Sequence, residues 1–211
     1  MYEEVCPMRD VDVVVVDYEA GNLRSVETAL SALGVRYVVS GDPEVVRRAG
    51  RVVVPGVGEA RACMGVLGER GLDEALREVV EQGVPFLGIC IGCQLVLEFS
   101  EERETDTLGF LRGRVVRFPS LPGLKVPHMG WNGVEHVKPH PLFEGIPSGA
   151  SFYFVHSYYP VPEEKESIVA TTEYGVRFAS AFAKDNLFAV QFHPEKSGPY
   201  GLRLLENFFS L

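Results

Sequence analysis

The chain has few cysteines and no excess of basic residues, and both scarcities narrow its function. Its 211 residues include only four cysteines, and a chain of this length can bury a sizeable core without disulfides or a structural metal. The formal net charge of -9 argues against a nucleic-acid partner, because phosphates attract basic surfaces. We therefore expect reduced thiols and no nucleic-acid binding.

Long apolar runs are also missing from the sequence. The longest run near the start, residues 13–16, is far shorter than the roughly 20 residues that span a bilayer. The acidic segment before it lacks the apolar stretch of a secretory signal. These observations predict a cytoplasmic protein that does not enter a membrane.

The first half of the chain alternates predicted strands and helices. Apolar runs that stop at glycine or proline indicate buried strands, and apolar positions at helical spacing indicate helices. The predicted strands are 11–17, 36–39, 51–54 and 86–89, and the predicted helices are 23–33, 43–49, 72–80 and 91–99. This βαβα order predicts a parallel sheet with helices on both faces.

The second half of the chain is richer in short strands separated by turn residues. Strands are predicted near 114–118, 133–137, 151–155, 167–172, 178–182 and 187–192, and a closing helix near 200–209. The fold class predicted is therefore α/β, with an open, mostly parallel sheet, helices on both faces and antiparallel additions in the C-terminal half. We expect one domain over residues 11–211, preceded by an extension at 1–10.

The sharpest local motif is Gly-Ile-Cys-Ile-Gly at residues 88–92, at the junction of a strand and a helix. A nucleophile between two such glycines is typical of a nucleophile elbow, a turn so sharp that flanking side chains would clash. The thiol of Cys90 would then face the crevice at the carboxyl end of the sheet. A buried cysteine beside a glycine-rich turn is an equally simple interpretation of these five residues alone.

A second motif, Gln-Phe-His-Pro-Glu at residues 191–195, ends an apolar strand. Pro194 favours an extended conformation at His193, and residues two apart in an extended segment face the same side. Glu195 can therefore bind one imidazole nitrogen while the other faces a nucleophile, as in a hydrolytic triad. By itself, a solvated histidine and glutamate would explain this motif, but the elbow favours the triad.

A third motif is the turn Pro-Gly-Val-Gly at residues 55–58, after the third strand. Acyl transfer to a thiol needs N–H donors for the tetrahedral oxyanion. This turn could supply one donor, and the amide of Ile91, which follows the nucleophile, could supply another. An ordinary strand-to-helix turn is the alternative.

These motifs, in this order, resemble the class I glutamine amidotransferases. The matching segments are 55–58, 88–94 and 191–195. Within that family, four further segments resemble the glutaminase subunits of imidazole glycerol phosphate synthases. They are Asp-Tyr and Gly-Asn-Leu within 17–23, Pro-His-Met-Gly-Trp-Asn at 127–132, His-Ser-Tyr-Tyr at 156–159 and Lys-Ser-Gly at 196–198. The resemblance covers roughly residues 11–211.

The resemblance implies a glutaminase that needs no cofactor and no metal. Cys90 would attack the side-chain amide of glutamine, His193 would transfer the proton, and Glu195 would hold the imidazole. The oxyanion would be met by backbone N–H groups near Val57 and Gly58 and at Ile91. Substrate binding is implied for five further residues, namely Gly56, Gln94, Glu102 and the backbone of Ser157 and Tyr158.

The resemblance also implies a partner. It is a cyclase subunit built as a (β/α)8 barrel, which forms a heterodimer with the glutaminase and receives its ammonia in histidine biosynthesis. Trp131, Tyr153 and Lys196 are the predicted interface residues, although Trp131, the only tryptophan, could instead lie in the core. Activity is expected to stay weak until the partner and its ligand reset the turn at 55–58.

Several alternatives remain at this point. Cys90 and Cys93, the latter standing where this group usually has methionine, form a Cys-x-x-Cys pair that could be redox-active. Together with His193 they could bind zinc, although the order of residues differs from that of the zinc deaminases. The chain could also be a non-catalytic subunit that kept the fold, or another amidotransferase glutaminase such as that of anthranilate synthase.

Overall fold

The computed structural model describes residues 12–21 and 23–211. The predicted extension at 1–10, residue 11 and Asn22 lie outside the described residues. Six α-helices lie in the described ranges: α1 (Leu23–Ala32), α2 (Pro43–Arg47), α3 (Ala60–Glu69), α4 (Leu72–Glu81), α5 (Ile91–Leu95) and α6 (Gly198–Ser210). None of them is long and apolar enough to cross a bilayer.

The strands form a large mixed sheet and a small one. They are β1 (Val13–Val16), β2 (Tyr37–Ser40), β3 (Val52–Val54), β4 (Phe86–Ile89), β5 (Phe99–Ser100), β6 (Thr105–Asp106), β7 (Gly113–Arg117), β8 (His128–His136), β9 (Ala150–His156), β10 (Tyr158–Pro162), β11 (Ile168–Tyr174), β12 (Val176–Lys184) and β13 (Leu187–Val190). The large sheet has the order β2-β1-β3-β4-β13-β12-β11-β8-β9, and the small sheet the order β10-β7-β5-β6.

The pairing in the large sheet changes from parallel to antiparallel at β13. The strands from β2 to β13 pair in parallel, whereas β12, β11, β8 and β9 are added in antiparallel fashion. This arrangement confirms the predicted α/β class with antiparallel additions in the C-terminal half.

Helices cover both faces of the parallel strands. In β1, Val14 and Val16 pack into one core with residues of α2, α3, α4 and α5. The alternate residues Val13 and Val15 pack into a second core with residues of α1 and α6. Both sets are buried, as the uninterrupted apolar run of β1 predicts for a strand covered on two sides.

The structure corrects the predicted helix at 91–99, because α5 ends at Leu95. The carbonyls of Leu95, Val96 and Leu97 accept hydrogen bonds from the amides of Leu108, Leu111 and Gly109 at 2.8, 3.0 and 2.8 Å. The returning segment therefore takes the Leu95 carbonyl, which the amide of Phe99 would use in the predicted helix, and pairs with the two carbonyls that follow. The prediction also omitted α3, the short strands β5 and β6, and β10, and it began β8 too late.

The sheet positions the two chemical motifs side by side. β4 and β13 are parallel neighbours, with Ile89 opposite Val190. Cys90 directly follows β4, and His193 lies three residues beyond Val190, so both leave the sheet at the same carboxyl edge. The pairing of β4 with β13 therefore brings Cys90 and His193 to the same edge, although they are far apart in the sequence.

Candidate active site

Cys90 occupies a strained turn between β4 and α5. Its backbone has φ 55° and ψ −106°, a region that L-residues rarely adopt. The glycines around it are required by close contacts: a Cβ on Gly88 would lie 2.6 Å from the Gly92 carbonyl oxygen, and a Cβ on Gly92 would lie 1.9 Å from that of Val54. The elbow geometry predicted from the motif is therefore present.

His193 and Glu195 form a buried pair beside this turn. Nδ1 of His193 lies 2.8 Å from Oε1 of Glu195, and both side chains are 1% exposed. The backbone of His193 is extended, as Pro194 predicts. Its amide donates to the Tyr153 carbonyl at 2.9 Å, and its carbonyl accepts from the Ser197 hydroxyl at 2.6 Å. The backbone of His193 is therefore held by Tyr153 and Ser197, and its ring by Glu195.

The second ring nitrogen of His193, Nε2, interacts with the Cys90 sulfur. Nε2 is buried and has no partner of standard hydrogen-bond geometry among the described residues, so its interaction with the Cys90 sulfur is looser than a standard hydrogen bond. Burial lowers the pKa of His193, but the charge of Cys90, the interaction with that sulfur, and the hydrogen bond and charge of Glu195 outweigh it and raise the pKa to about 10. The groups around the ring thus favour the protonated imidazole.

A pocket of about 300 Å³ opens beside Cys90. Eight residues predicted for the site line it: Val57, Gly58, Cys90, Ile91, Gln94, Glu102, Ser157 and Tyr158. The pocket is also lined by Pro127, Val155 and His156, for which the sequence motifs predicted no catalytic or substrate-binding role. His193 and Glu195 do not line it.

Gly56 is the predicted substrate residue that the structure does not place on the pocket wall. A Cβ there would lie 2.5 Å from the Tyr18 hydroxyl, 2.7 Å from Ile91 Cγ2 and 2.9 Å from Ala20 Cβ. Gly56 is therefore enclosed by these three residues, and its packing explains why this position needs glycine. Its direct contact with substrate is not supported by this arrangement.

The neighbouring amide, that of Val57, is already bonded. It donates to the Ala20 carbonyl at 2.8 Å. A donor bound in this way cannot also meet an oxyanion in the pocket, so the turn at 55–58 is in a conformation that withholds one predicted donor. Gly56 and Gly58 flank Val57, and the φ of 142° at Gly58 is open to glycine only, so the turn has the backbone freedom to rotate.

Gln94 lines the pocket and is held there by two hydrogen bonds. Its Nε2 donates to the Tyr158 carbonyl and to Oε1 of Gln191, both at 2.9 Å. Both amide protons are used, so Gln94 can offer a ligand only its carbonyl oxygen. The sequence suggested that the Gln94 side chain could both donate to a ligand and accept from it. In the structure only its carbonyl oxygen is available to a ligand.

Glu102 supplies the acidic group of the pocket. Its Oε2 accepts from the Ala60 amide at 2.8 Å, at the start of α3. Burial raises the pKa of Glu102, while the Ala60 hydrogen bond opposes the shift. The carboxylate is thereby fixed on the pocket wall, where it can receive an ammonium group.

The second cysteine of the Cys-x-x-Cys pair is not presented to the pocket. Cys93 is fully buried and packs into the core opposite the one that contains Cys90, and burial raises its pKa well above the ordinary value. No cluster of three His, Cys, Asp or Glu side chains suited to a metal ion occurs within 12–21 and 23–211. The zinc site that combined Cys90, Cys93 and His193 is therefore not formed by these residues.

The predicted interface residues lie on one rim of the site. Trp131 on β8 is 59% exposed, so the alternative of a core tryptophan is wrong. Its ring meets that of Tyr153 on β9 edge to face at 6.1 Å, and Met129, also on β8, is 62% exposed. Lys196 follows the His193–Glu195 pair and is half-buried. These residues form an apolar, aromatic surface with one cation.

Comparison with known proteins identifies the family. The model of glutamine amidotransferase class-I matches residues 14–211. The imidazole glycerol phosphate synthase subunit HisH of Aromatoleum aromaticum is 51% identical over 208 residues, covering 94% of this chain and 98% of that protein. The corresponding subunit of Dehalococcoides mccartyi (strain CBDB1) is 48% identical over 200 residues, covering 94% and 97%. The chain belongs to the class I glutamine amidotransferases, among the HisH subunits of imidazole glycerol phosphate synthase.

A solved structure agrees at the level of the fold. PurLQS from Thermotoga maritima matches this amidotransferase with a TM-score of 0.74 at 17% identity, covering 95% of this chain and 98% of that one. At that identity the likeness concerns the fold alone.

The structure of this amidotransferase adds one residue beside the thiol that the sequence did not single out. Nε2 of Gln191 lies 3.8 Å from Cys90 Sγ, and its oxygen holds Gln94. Its place in the segment 191–195, two residues before His193, was the available signal. A buried glutamine on an apolar strand needs partners, and here the partners are site residues.

Proposed function

We propose that this chain hydrolyses glutamine to glutamate and ammonia as the glutaminase subunit of an imidazole glycerol phosphate synthase. The observation that carries the proposal is the buried His193–Glu195 hydrogen bond of 2.8 Å beside a strained Cys90 that lines the pocket. This arrangement supports Cys90 as nucleophile, His193 as proton carrier and Glu195 as orienting carboxylate in a thiol acyl transfer.

The chemistry proceeds in two acyl transfers. His193 takes the proton of the Cys90 thiol as Sγ forms a bond to the side-chain carbonyl carbon of glutamine, and the C–N bond breaks as His193 gives that proton to the leaving nitrogen, which departs as ammonia. A water molecule then attacks the thioester, His193 takes one of its protons, and the C–S bond breaks to release glutamate. Glu195 keeps the imidazole oriented in both steps. The hydrogen bond to Glu195 and the raised pKa of His193 both favour the protonated ring that gives its proton to the leaving nitrogen.

The rate of glutamine hydrolysis depends on the backbone N–H groups that stabilise the oxyanion. Ile91, directly after Cys90, and the turn at 55–58 are the candidate donors, but the Val57 amide is bonded to Ala20 in this conformation. Loss of one oxyanion donor costs about 100- to 1000-fold in turnover in well-studied acyl-transfer enzymes. We therefore expect weak activity from the isolated chain and strong activity once the turn rotates.

The pocket suits the α-amino acid end of glutamine. The Glu102 carboxylate would bind its ammonium group, the Gln94 carbonyl oxygen would accept from an N–H, and the Ser157–Tyr158 backbone would hold its α-carboxyl end. Each of these groups lines the pocket, and the positions of Glu102 and Gln94 are fixed by hydrogen bonds of 2.8 and 2.9 Å. Gln191, through its contact with Cys90, would orient the thiol.

The partner proposed is a (β/α)8-barrel cyclase, with which the chain would form a heterodimer. Trp131, Tyr153 and Lys196 would contact it, because an exposed tryptophan and methionine on β8 are typical of interface anchors. Ammonia would pass to the cyclase, where the lyase step of histidine biosynthesis takes place. The predicted cytoplasmic location belongs to the same proposal.

The test measures glutamate release from glutamine, for the chain alone and mixed with a barrel cyclase and its ribotide ligand. We expect weak release alone and a rise of at least 100-fold in the mixture. Cys90→Ala should release none in either sample, because the nucleophile is gone, whereas Cys63→Ala should remain active.

Cys63 is the matched control, since Cys63 and Cys90 are both 5% exposed. Retained hydrolysis in Cys90→Ala would contradict the assignment of the nucleophile. A folded wild-type chain that released no glutamate in either sample would favour the non-catalytic alternative.

A further inference from the structure

Tyr18 is a buried side chain that the proposed mechanism does not yet use. It follows β1 at the carboxyl edge of the sheet and is 2% exposed. Its hydroxyl is buried and has no hydrogen-bond partner among residues 12–21 and 23–211. A buried hydroxyl without a partner is destabilising, so a phenylalanine would be more stable here unless the hydroxyl acts in another state.

The hydroxyl lies against the turn that withholds the oxyanion donor. A Cβ on Gly56 would be 2.5 Å from the Tyr18 oxygen, and the next amide, that of Val57, donates to Ala20, two residues after Tyr18. A Cβ on Gly21 would lie 3.3 Å from Val57 Cγ2. The segment 18–21 therefore packs directly against the peptide between Gly56 and Val57.

The geometry of that peptide dictates what rotation would do. In a planar trans peptide the carbonyl and the N–H point in opposite directions. When the Val57 N–H turns from Ala20 toward the pocket, the Gly56 carbonyl must turn toward the segment 18–21. There it would face the Ala20 carbonyl, an acceptor, and would need a donor.

We propose that Tyr18 is a positioning residue, whose hydroxyl donates to the Gly56 carbonyl when the turn at 55–58 rotates to present the Val57 N–H to the oxyanion. This inference rests on the proposed function, because it needs a state in which Val57 serves glutamine hydrolysis. The unpartnered hydroxyl disfavours the resting state, and the new hydrogen bond favours the rotated one, so Tyr18 biases a two-state element. Burial, together with the charges of Cys63 and Cys90, raises the Tyr18 pKa well above its ordinary value, and the phenol therefore remains a donor.

The test compares Tyr18→Phe with the wild type in the complex with the barrel cyclase and its ribotide ligand. We expect kcat for glutamate release to fall about tenfold, the equivalent of one hydrogen bond, with KM for glutamine unchanged. The isolated Tyr18→Phe chain should unfold at the same or a higher urea concentration than the wild type, because an unpartnered hydroxyl is removed. A residue with a merely structural role would instead lose stability.

Tyr37→Phe is the control. Tyr37 is on β2, and its hydroxyl bonds to Ser31 of α1, outside the segments that contact the turn. The kcat of Tyr37→Phe should therefore equal that of the wild type. An unchanged kcat in Tyr18→Phe, or a lower unfolding midpoint, would overturn the role of Tyr18 and leave the proposed function intact. A wild-type complex that releases no glutamate would overturn both.

Discussion

At the scale of the residue, Cys90 combines reactivity with backbone strain. Its φ of 55° and ψ of −106° cost an L-residue about 1–3 kcal/mol, whereas glycine tolerates them. We expect Cys90→Gly to have a free energy of unfolding about 1 kcal/mol higher than that of Cys90→Ala, even after allowing for the greater flexibility of glycine in the unfolded chain. Both variants lack the thiol, so neither should release glutamate. Urea unfolding of the two checks this, and a less stable glycine variant would contradict a strained elbow.

At the scale of the element, the turn between β4 and α5 depends on Gly92. A Cβ there would lie 1.9 Å from the Val54 carbonyl oxygen, and backbone atoms on neighbouring strands cannot yield cheaply. We expect Gly92→Ala to lower the free energy of unfolding by about 3 kcal/mol. Gly65→Ala in α3 is the matched control, because an added Cβ there meets nothing within 4 Å, and it should be stabilising by up to about 1 kcal/mol. Equal stabilities of the two variants, measured by urea unfolding, would refute the close contact.

Some features of these elements could be predicted from the sequence, and others could not. The elbow at Cys90 and the extended backbone at His193 follow from local rules about glycine and proline, and both are present in the structure. The helix α3 was missed because its ten residues include two glycines, which weaken a helical prediction, although its buried residues Ala60, Cys63 and Leu67 recur at helical spacing. The bonding of the Val57 amide to Ala20 depends on packing between distant segments, and no local pattern reports it. The same holds for Gln191, whose partners lie on other elements.

At the scale of the whole molecule, the antiparallel half of the sheet encloses a neutral histidine pair. Nδ1 of His128 lies 2.9 Å from Nε2 of His156, and Nδ1 of His156 lies 2.7 Å from the Tyr158 carbonyl. The second ring nitrogen of His128 lies 3.3 Å from the Asn132 amide. One consistent assignment has Asn132 donating to His128, His128 to His156 and His156 to Tyr158, with both rings neutral. The chain of bonds ends at the carbonyl that also holds Gln94, so the site and the β8–β9 pair share one polar network.

This neutral pair predicts how stability depends on pH. Burial lowers the pKa of His128 to about 4 and that of His156 to about 3, and it also lowers the pKa values of His136 and His140. An unfolded histidine titrates near 6.5, so below that pH the unfolded chain binds protons that the folded chain does not. Stability should therefore fall as the pH decreases from about 6.5 toward 4, approaching 1.4 kcal/mol per pH unit for each such histidine.

Urea unfolding between pH 7.5 and 5 measures this dependence in a range above most carboxylate titrations. The fifth histidine, His193, contributes a slope of opposite sign at the upper end of this range, because its raised pKa of about 10 keeps it protonated in the folded state while the unfolded ring loses its proton above about pH 6.5. This contribution is the same in the wild type and in a His128 variant, so it cancels when their slopes are compared. Replacing His128 with glutamine keeps polar groups at this position but removes one titrating ring. We expect His128→Gln to lose less stability than the wild type over this pH range, by the share of one histidine. The same slope in both proteins would mean that His128 takes up its proton as readily in the folded chain as in the unfolded chain, and the neutral hydrogen-bonded pair would have to be abandoned.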